Sequence, residues 1–244
     1  MKWEQCFAEI CNSLFKISVS YGSINAWGTG FTVAKYKNPD KLALVLATAK
    51  HVISFPESET VQWNIEQFDW RGDIKRKLSF KSNNALMKAS PIRVHNNFDM
   101  GAVFIPKFAD TLEDKVLRTI CSSYAIQPGT KVGWAGFPAL TSYKTLDDRP
   151  CYFEGVISSV FDVGYRLYYI IDGHSANGVS GGPVWCWHDE ESNYEIIGVV
   201  PEYISIPNTN LPGLCVFESI NPLMSYLTTS KDLEVNSDSL NIQK

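Results

Sequence analysis

Short β-prone segments recur along this chain from Ile17 to Glu218, and turn residues cut nearly all of them to strand length. Sixteen glycines and twelve prolines supply much of that punctuation. The pattern points to an all-β architecture and argues against long helices. With 244 residues, 45% of them hydrophobic, the chain has enough apolar material for one large all-β unit or two small domains. No run approaches the ~18 apolar residues a membrane-spanning helix requires.

The segments fall into two sets. The first holds strands expected at 17–20, 30–35, 43–48, 61–70, 78–80, 92–95 and 102–105. In 61–70 the apolar alternation runs through Val61, Trp63 and Ile65, then shifts to Phe68. The second set holds strands at 131–136, 152–160, 166–171, 183–188, 194–203 and 213–218, with a hairpin turn at 189–193. The more charged stretch 109–122 reads as a connector. Trp3, Phe7, Ile10, Leu14 and Phe15 are spaced as one face of an amphipathic helix over 3–15. Ile220, Leu223, Met224 and Leu227 predict a closing helix over 220–228, and the polar 230–244 predicts a frayed tail.

A net charge of −4 gives no footprint for nucleic acid or for a polybasic membrane contact. The six cysteines, at 6, 11, 121, 151, 186 and 215, form no CxxC and read as small buried thiols. No metal site and no cofactor are expected. The N-terminal stretch is broken by Glu4, Gln5, Glu9, Asn12 and Lys16 and lacks the apolar core of a secretory leader. A reducing, cytoplasmic location is therefore expected.

Three segments carry chemistry. In Leu46-Ala47-Thr48-Ala49-Lys50-His51, a histidine follows a buried strand. In Asn97-Phe98-Asp99-Met100-Gly101, an aspartate enters one. In Asn177-Gly178-Val179-Ser180-Gly181-Gly182-Pro183, a serine lies between glycines at the mouth of a third. A serine hydroxyl is a weak nucleophile at neutral pH and needs a base, which His51 can be because an imidazole titrates near 7. That base needs an orienting carboxylate, for which Asp99 is the candidate. The tetrahedral oxyanion needs donors set in advance, and the backbone N–H groups of Gly178 and Ser180 can supply them from a tight turn. Asp69, Asp73 and Asp110 compete as the acid but do not open an apolar strand. Ser175 lacks the paired glycines. His95 and His188 read as surface or strand-end residues.

With these residues in view, the chain resembles the trypsin-like serine peptidases, especially their prokaryotic and HtrA-like branch. The order His, Asp, Ser, separated by 48 and then 81 residues, matches that family. Trp27-Gly28-Thr29-Gly30-Phe31, Gly133-Trp134-Ala135-Gly136-Phe137-Pro138, Gly155-Val156-Ile157 and Pro212-Gly213-Leu214-Cys215 resemble its other strands, so the likeness spans residues 10–228. It implies two six-stranded antiparallel β-barrels with a short N-terminal and a C-terminal helix. The implied organisation is 1–112 for the N-terminal helix and the first barrel with His51 and Asp99, 113–228 for the connector, the second barrel with Ser180 and the C-terminal helix, and 229–244 for the tail. The implied activity is endopeptidase cleavage of a polypeptide through an acyl-enzyme at Ser180. The alternative is a catalytically silent double barrel acting as a protein-binding module.

The chain departs from that family in three places. Val179 stands where trypsins have the aspartate that receives a newly cut N-terminus, so no activation by clipping is expected. Control by a regulatory protein partner, an oligomer or a ligand that orders the Gly178 loop is expected instead. Val52 replaces a disulfide cysteine. Pro201 replaces a serine that supports the triad acid, leaving Asp99 to find another partner in the protein or in solvent. The resemblance places His174 at the base of the substrate pocket, and Val200, Pro201, Glu202, Tyr203 and Gly213 along its walls. His174 is equally readable as a satisfied loop residue. As pocket lining it favours acidic or polar side chains, whereas Glu202 favours basic ones.

Overall fold

The computed structural model describes residues 3–38, 41–55, 60–82, 92–105, 117, 119, 126–139, 148–164, 166–188, 193–204 and 213–229. The chain opens with helix α1 (Trp3–Cys11) and continues through β1 (Leu14–Tyr21), β2 (Ile24–Asn38) and β3 (Lys41–Thr48) to a one-turn helix, α2 (Lys50–Ile53). Strands β4 (Val61–Phe68), β5 (Ile74–Ser82), β6 (Ile92–Val94) and β7 (Gly101–Ile105) complete a first sheet. The second sheet is built from β8 (Lys131–Gly136), β9 (Cys151–Val163), β10 (Arg166–His174), β11 (Pro183–His188), β12 (Asn193–Val199), β13 (Tyr203–Ile204) and β14 (Leu214–Ser219), and helix α3 (Asn221–Thr229) follows it.

The two sheets are wound alike. In the first, β1 pairs β2, β2 pairs β3, and β3 then pairs β7; in the second, β8, β9, β10 and β14 repeat that scheme. All these pairings are antiparallel. The β10–β14 pairing closes the second sheet into a barrel of six strands, with the two-residue β13 added outside. The first sheet curls through six strands, with the three-residue β6 at its edge. The expected all-β architecture of two six-stranded antiparallel barrels with helices at both ends is observed, the second barrel closed and the first a half-barrel.

Strand periodicity explains where the core lies. Successive side chains of a strand face opposite sides. Along β3, Leu44 and Leu46 fill the first unit, whereas Val45 and Ala47 face a second cluster. On β11, Val184 and Cys186 fill the second barrel while Trp185 joins that same second cluster. This shared cluster is the seam between the units. It includes Phe31, Phe137 and Ile196, together with Cys6 and Ile10 of α1 and Leu223, Met224 and Leu227 of α3. Both helices therefore seal the seam with their apolar faces.

Two expectations need correction. The first helix ends at Cys11, and Leu14 and Phe15 belong to β1. Their apparent helical spacing arises because Leu14 faces the seam that α1 covers while Phe15 faces the first barrel. The strand expected over 194–203 is also broken. It ends at Val199, and a separate β13 begins at Tyr203. Pro201, which has no N–H to donate to a ladder, lies in the break. The shift of alternation after Ile65 corresponds to a bulge between Gln67 and Phe68. Among the described residues, Cys6, Cys11, Cys186 and Cys215 are buried and Cys151 is half-buried. The connector at 109–122 lies outside the described residues except for Leu117 and Thr119. Cys121, the turn residues 189–192 and the tail 230–244 also lie outside them. Among the described residues, no helix is long and apolar enough to cross a membrane.

Candidate active site

His51 is placed by the end of a buried strand. Strand β3 stops at Thr48, Ala49 is extended, and α2 turns the chain so that Val52 and Ile53 anchor in the first barrel while His51 faces outward. Asp99 lies just before β7 and holds this turn from two sides. Its backbone carbonyl accepts from the Lys50 N–H at 3.1 Å, and its Oδ1 accepts from the His51 N–H at 3.0 Å. Both N–H groups are unpaired donors of a helix start, so they need outside acceptors. The remaining carboxylate oxygen, Oδ2, lies 2.7 Å from His51 Nδ1. One aspartate thus fixes both the backbone and the ring of one histidine.

The electrostatics follow from that contact. The Asp99 hydrogen bond raises the His51 imidazole above its ordinary value of 6.5; burial opposes the shift, and the charges of Asp99 and Glu202 add to it. Burial alone would push the Asp99 carboxyl up. The ring and backbone of His51 and the Arg166 guanidinium outweigh burial and hold it below the usual carboxylate range.

Ser180 reaches the same place from the second barrel. A cleft of about 670 Å³ is lined by His51, Asp99 and Ser180, with Lys50, Arg166, Pro201, Glu202 and Glu218 among its other walls. The loop before Ser180 turns sharply at Gly178 (φ +89) and again at Gly181 (φ +86). The first turn is closed by Val179 N–H donating to the Ala176 carbonyl at 3.2 Å, with the positive φ that a type II turn demands at its third residue. Added Cβ atoms would collide with the Phe137 carbonyl at Gly178, and with the Thr29 carbonyl and Thr48 hydroxyl at Gly181.

Peptide geometry orients the loop's donors. A trans peptide points its C=O and N–H in opposite directions. The Asn177 carbonyl is held by the Ala139 N–H at 2.6 Å, and the Val179 carbonyl by the Gly182 N–H at 2.9 Å. These bonds fix the directions of the Gly178 and Ser180 N–H groups. Among the described residues, neither N–H donates to any group of the chain.

The cleft brings together some of the expected pocket residues and leaves others out. Pro201 and Glu202 line it. Val200 is buried in the core of the second barrel, and Gly213 is buried where its carbonyl accepts from the Ser175 N–H at 3.3 Å. His174 is exposed at the end of β10, outside the cleft's lining, and Tyr203 opens β13.

Sequence reasoning missed Arg166, Tyr168 and Glu218. Glu218 is 1% exposed, and its Oε2 accepts from the Asp99 N–H at 3.3 Å. Its Oε1 lies 3.0 Å from Arg166 Nη2. Burial pushes the Glu218 carboxyl up, against the pull of Arg166 and the Tyr168 hydroxyl. Burial and Glu218 push Tyr168 up to about 12. The guanidinium of Arg166 also sits 5.9 Å from the Phe98 ring centroid and 5.5 Å from that of Tyr168. This network supports the segment that presents Asp99, the support the resemblance assigns to a serine at position 201. The available signal was an acidic residue directly after the apolar run Leu214–Phe217.

No family model matches the chain, and no curated protein matches it. Among solved structures, the serine endoprotease from Yersinia pestis matches 94% of this chain with a TM-score of 0.60 and 14% identity. The chain spans 66% of that protein's length. At this identity the likeness is one of fold. It supports the double-barrel fold for the present chain.

Proposed function

We propose that this chain is a serine endopeptidase that cleaves peptide bonds through an acyl-enzyme at Ser180. The observation that carries the reading is the His51–Asp99 pair, joined at 2.7 Å and opening onto the cleft that Ser180 also lines. With Nδ1 held by Asp99, Nε2 is the basic nitrogen. In the proposed reaction, Ser180 Oγ bonds to the scissile carbonyl carbon as its proton passes to His51 Nε2. The displaced carbonyl electrons settle on oxygen, which meets the N–H groups of Gly178 and Ser180. The C–N bond then breaks as His51 returns the proton to the leaving amine. Water repeats the sequence on the ester, releasing the acid and restoring Ser180. Only water is consumed, so the reaction as written requires no cofactor.

Of the two specificity expectations, the one resting on Glu202 has support. Glu202 lines the cleft and its charge acts on His51, which favours a basic substrate side chain nearby. A catalytically silent binding module is the weaker reading, because it has no use for a carboxylate bonded to both the ring and the backbone of a single histidine. Incubating the purified chain with a peptide library, beside Ser180→Ala, tests the proposal. Cleavage by the native chain and none by the variant is expected. A folded native chain that cleaves nothing, or a variant that cleaves equally well, contradicts it.

A further inference from the structure

The loop that carries Ser180 is tied to the first barrel through one buried threonine. Thr29 lies in β2, is fully buried, and has every polar group engaged. Its N–H donates to the Ser180 carbonyl at 2.8 Å, and its hydroxyl donates to the Gly178 carbonyl at 2.8 Å. The same hydroxyl oxygen accepts from the Phe137 N–H at 3.0 Å, and the Thr29 carbonyl accepts from the Thr48 hydroxyl at 2.7 Å. Strand β2, the end of β3, the residue after β8 and the nucleophile loop therefore meet at this one side chain.

Four successive carbonyls of that loop, at Asn177, Gly178, Val179 and Ser180, are each bonded. Ala139 and Gly182 hold the first and third, and Thr29 holds the second and fourth. Val179 N–H and Gly181 N–H are also bonded, to the Ala176 and Val200 carbonyls. The two N–H groups left over are those of Gly178 and Ser180. The Gly178 carbonyl belongs to the peptide that links the two donor-bearing ones. Freeing it leaves that link held only by the Val179 N–H bond to Ala176, so the flanking Gly178 and Ser180 N–H groups can turn off their aim. Among the described residues no charged side chain bonds to this loop, and Val179 is buried in the apolar core of the second barrel.

We infer that Thr29 is a positioning residue for the oxyanion donors: its hydroxyl, reaching across the seam, holds the Gly178–Ser180 loop in working form from within the chain. This inference rests on the endopeptidase reading. A group that acts by orienting transition-state donors affects turnover and leaves ground-state binding alone.

Thr29→Val keeps the shape and removes the hydroxyl, whereas Thr29→Ser keeps the hydroxyl. Steady-state kinetics on the best library peptide, together with thermal unfolding, separate the possibilities. Thr29→Val is expected to lose kcat on the order of 10²-fold, the effect of losing one oxyanion donor. Its KM should stay within about twofold, and a peptide aldehyde, which forms a tetrahedral adduct, should bind it correspondingly more weakly. Thr29→Ser should recover most of the rate. Wild-type kcat in Thr29→Val overturns the inference, as does a loss that Thr29→Ser fails to restore. If the valine variant does not fold, Thr29→Ala takes its place; failure of both to fold assigns the hydroxyl to stability and also overturns the inference. A native chain inert to both peptide and aldehyde overturns the endopeptidase reading itself, whereas an active native chain with an equally active Thr29→Val overturns the role of Thr29 alone.

Discussion

His51 holds its proton to higher pH than a free imidazole does, because Asp99 bonds its ring. That has a direct consequence for the proposed reaction. Only the neutral ring can take the proton from Ser180, so activity is lost as pH falls through the His51 pKa. Because that pKa is raised, the acid limb of kcat/KM should have its midpoint above 6.5. Asp99 is shifted in the opposite direction, so it stays ionised throughout this window and adds no second limb there. Asp99→Asn should remove the source of the upward shift, moving what residual limb remains to lower pH while cutting kcat by about 10⁴-fold. A profile of the native chain with its midpoint below 6 would contradict the assignment. At this scale the sequence was most legible for the triad candidates. Each sits in a local context that chemistry alone can recognise: a strand end, a strand entry and a glycine turn. Glu218 was not legible in this way. Its role depends on β14 lying beside the Asp99 loop, 119 residues away along the chain, and no local pattern encodes that contact.

Among the elements, the short connections position the candidate site residues more than the strands do. The turn at Gly181 packs against β2 and β3 so closely that a Cβ there would meet the Thr29 carbonyl and the Thr48 hydroxyl, and its φ of +86 disfavours any L side chain. Gly181→Ala should therefore lower the unfolding temperature and abolish turnover together. The left-handed conformation alone costs roughly 1–2 kcal/mol. Gly129→Ala offers a control, since it shares a positive φ but has open space around it. It should destabilise the chain modestly and leave turnover intact. Equal losses of turnover at the two sites would contradict the packing argument. The double glycine beside Ser180 is visible in the sequence as a motif. What Gly181 makes room for becomes apparent only once β2 and β3 are brought against the loop, and what Gly182 makes room for only once β8 is.

For the molecule as a whole, the proposed active site is assembled across a seam. His51 and Asp99 are presented by connections of the first unit and Ser180 by a loop of the second, so their relation depends on how the two units pack. Trp185 is fully buried in that seam, with its indole laid over Gly133, where even a Cβ would collide. Trp185→Ala should destabilise the chain by about 3–5 kcal/mol, read from denaturant unfolding. A loss under 1 kcal/mol would mean that the seam does not hold the units together. The repeated winding of the sheets was foreshadowed by two runs of short strands. The closure of the second barrel through β10 and β14 was implied by the resemblance and not by the strand pattern itself, because pairing between distant strands leaves no trace in local alternation. The central claim, that Ser180 is a nucleophile activated by His51, is tested most directly by treating the native chain with a fluorophosphonate and mapping the adduct by mass spectrometry. The account predicts one adduct, on the peptide containing Ser180, absent in Ser180→Ala and strongly slowed in His51→Ala. A folded native chain that takes no label, or a Ser180→Ala chain that labels equally well, would contradict it.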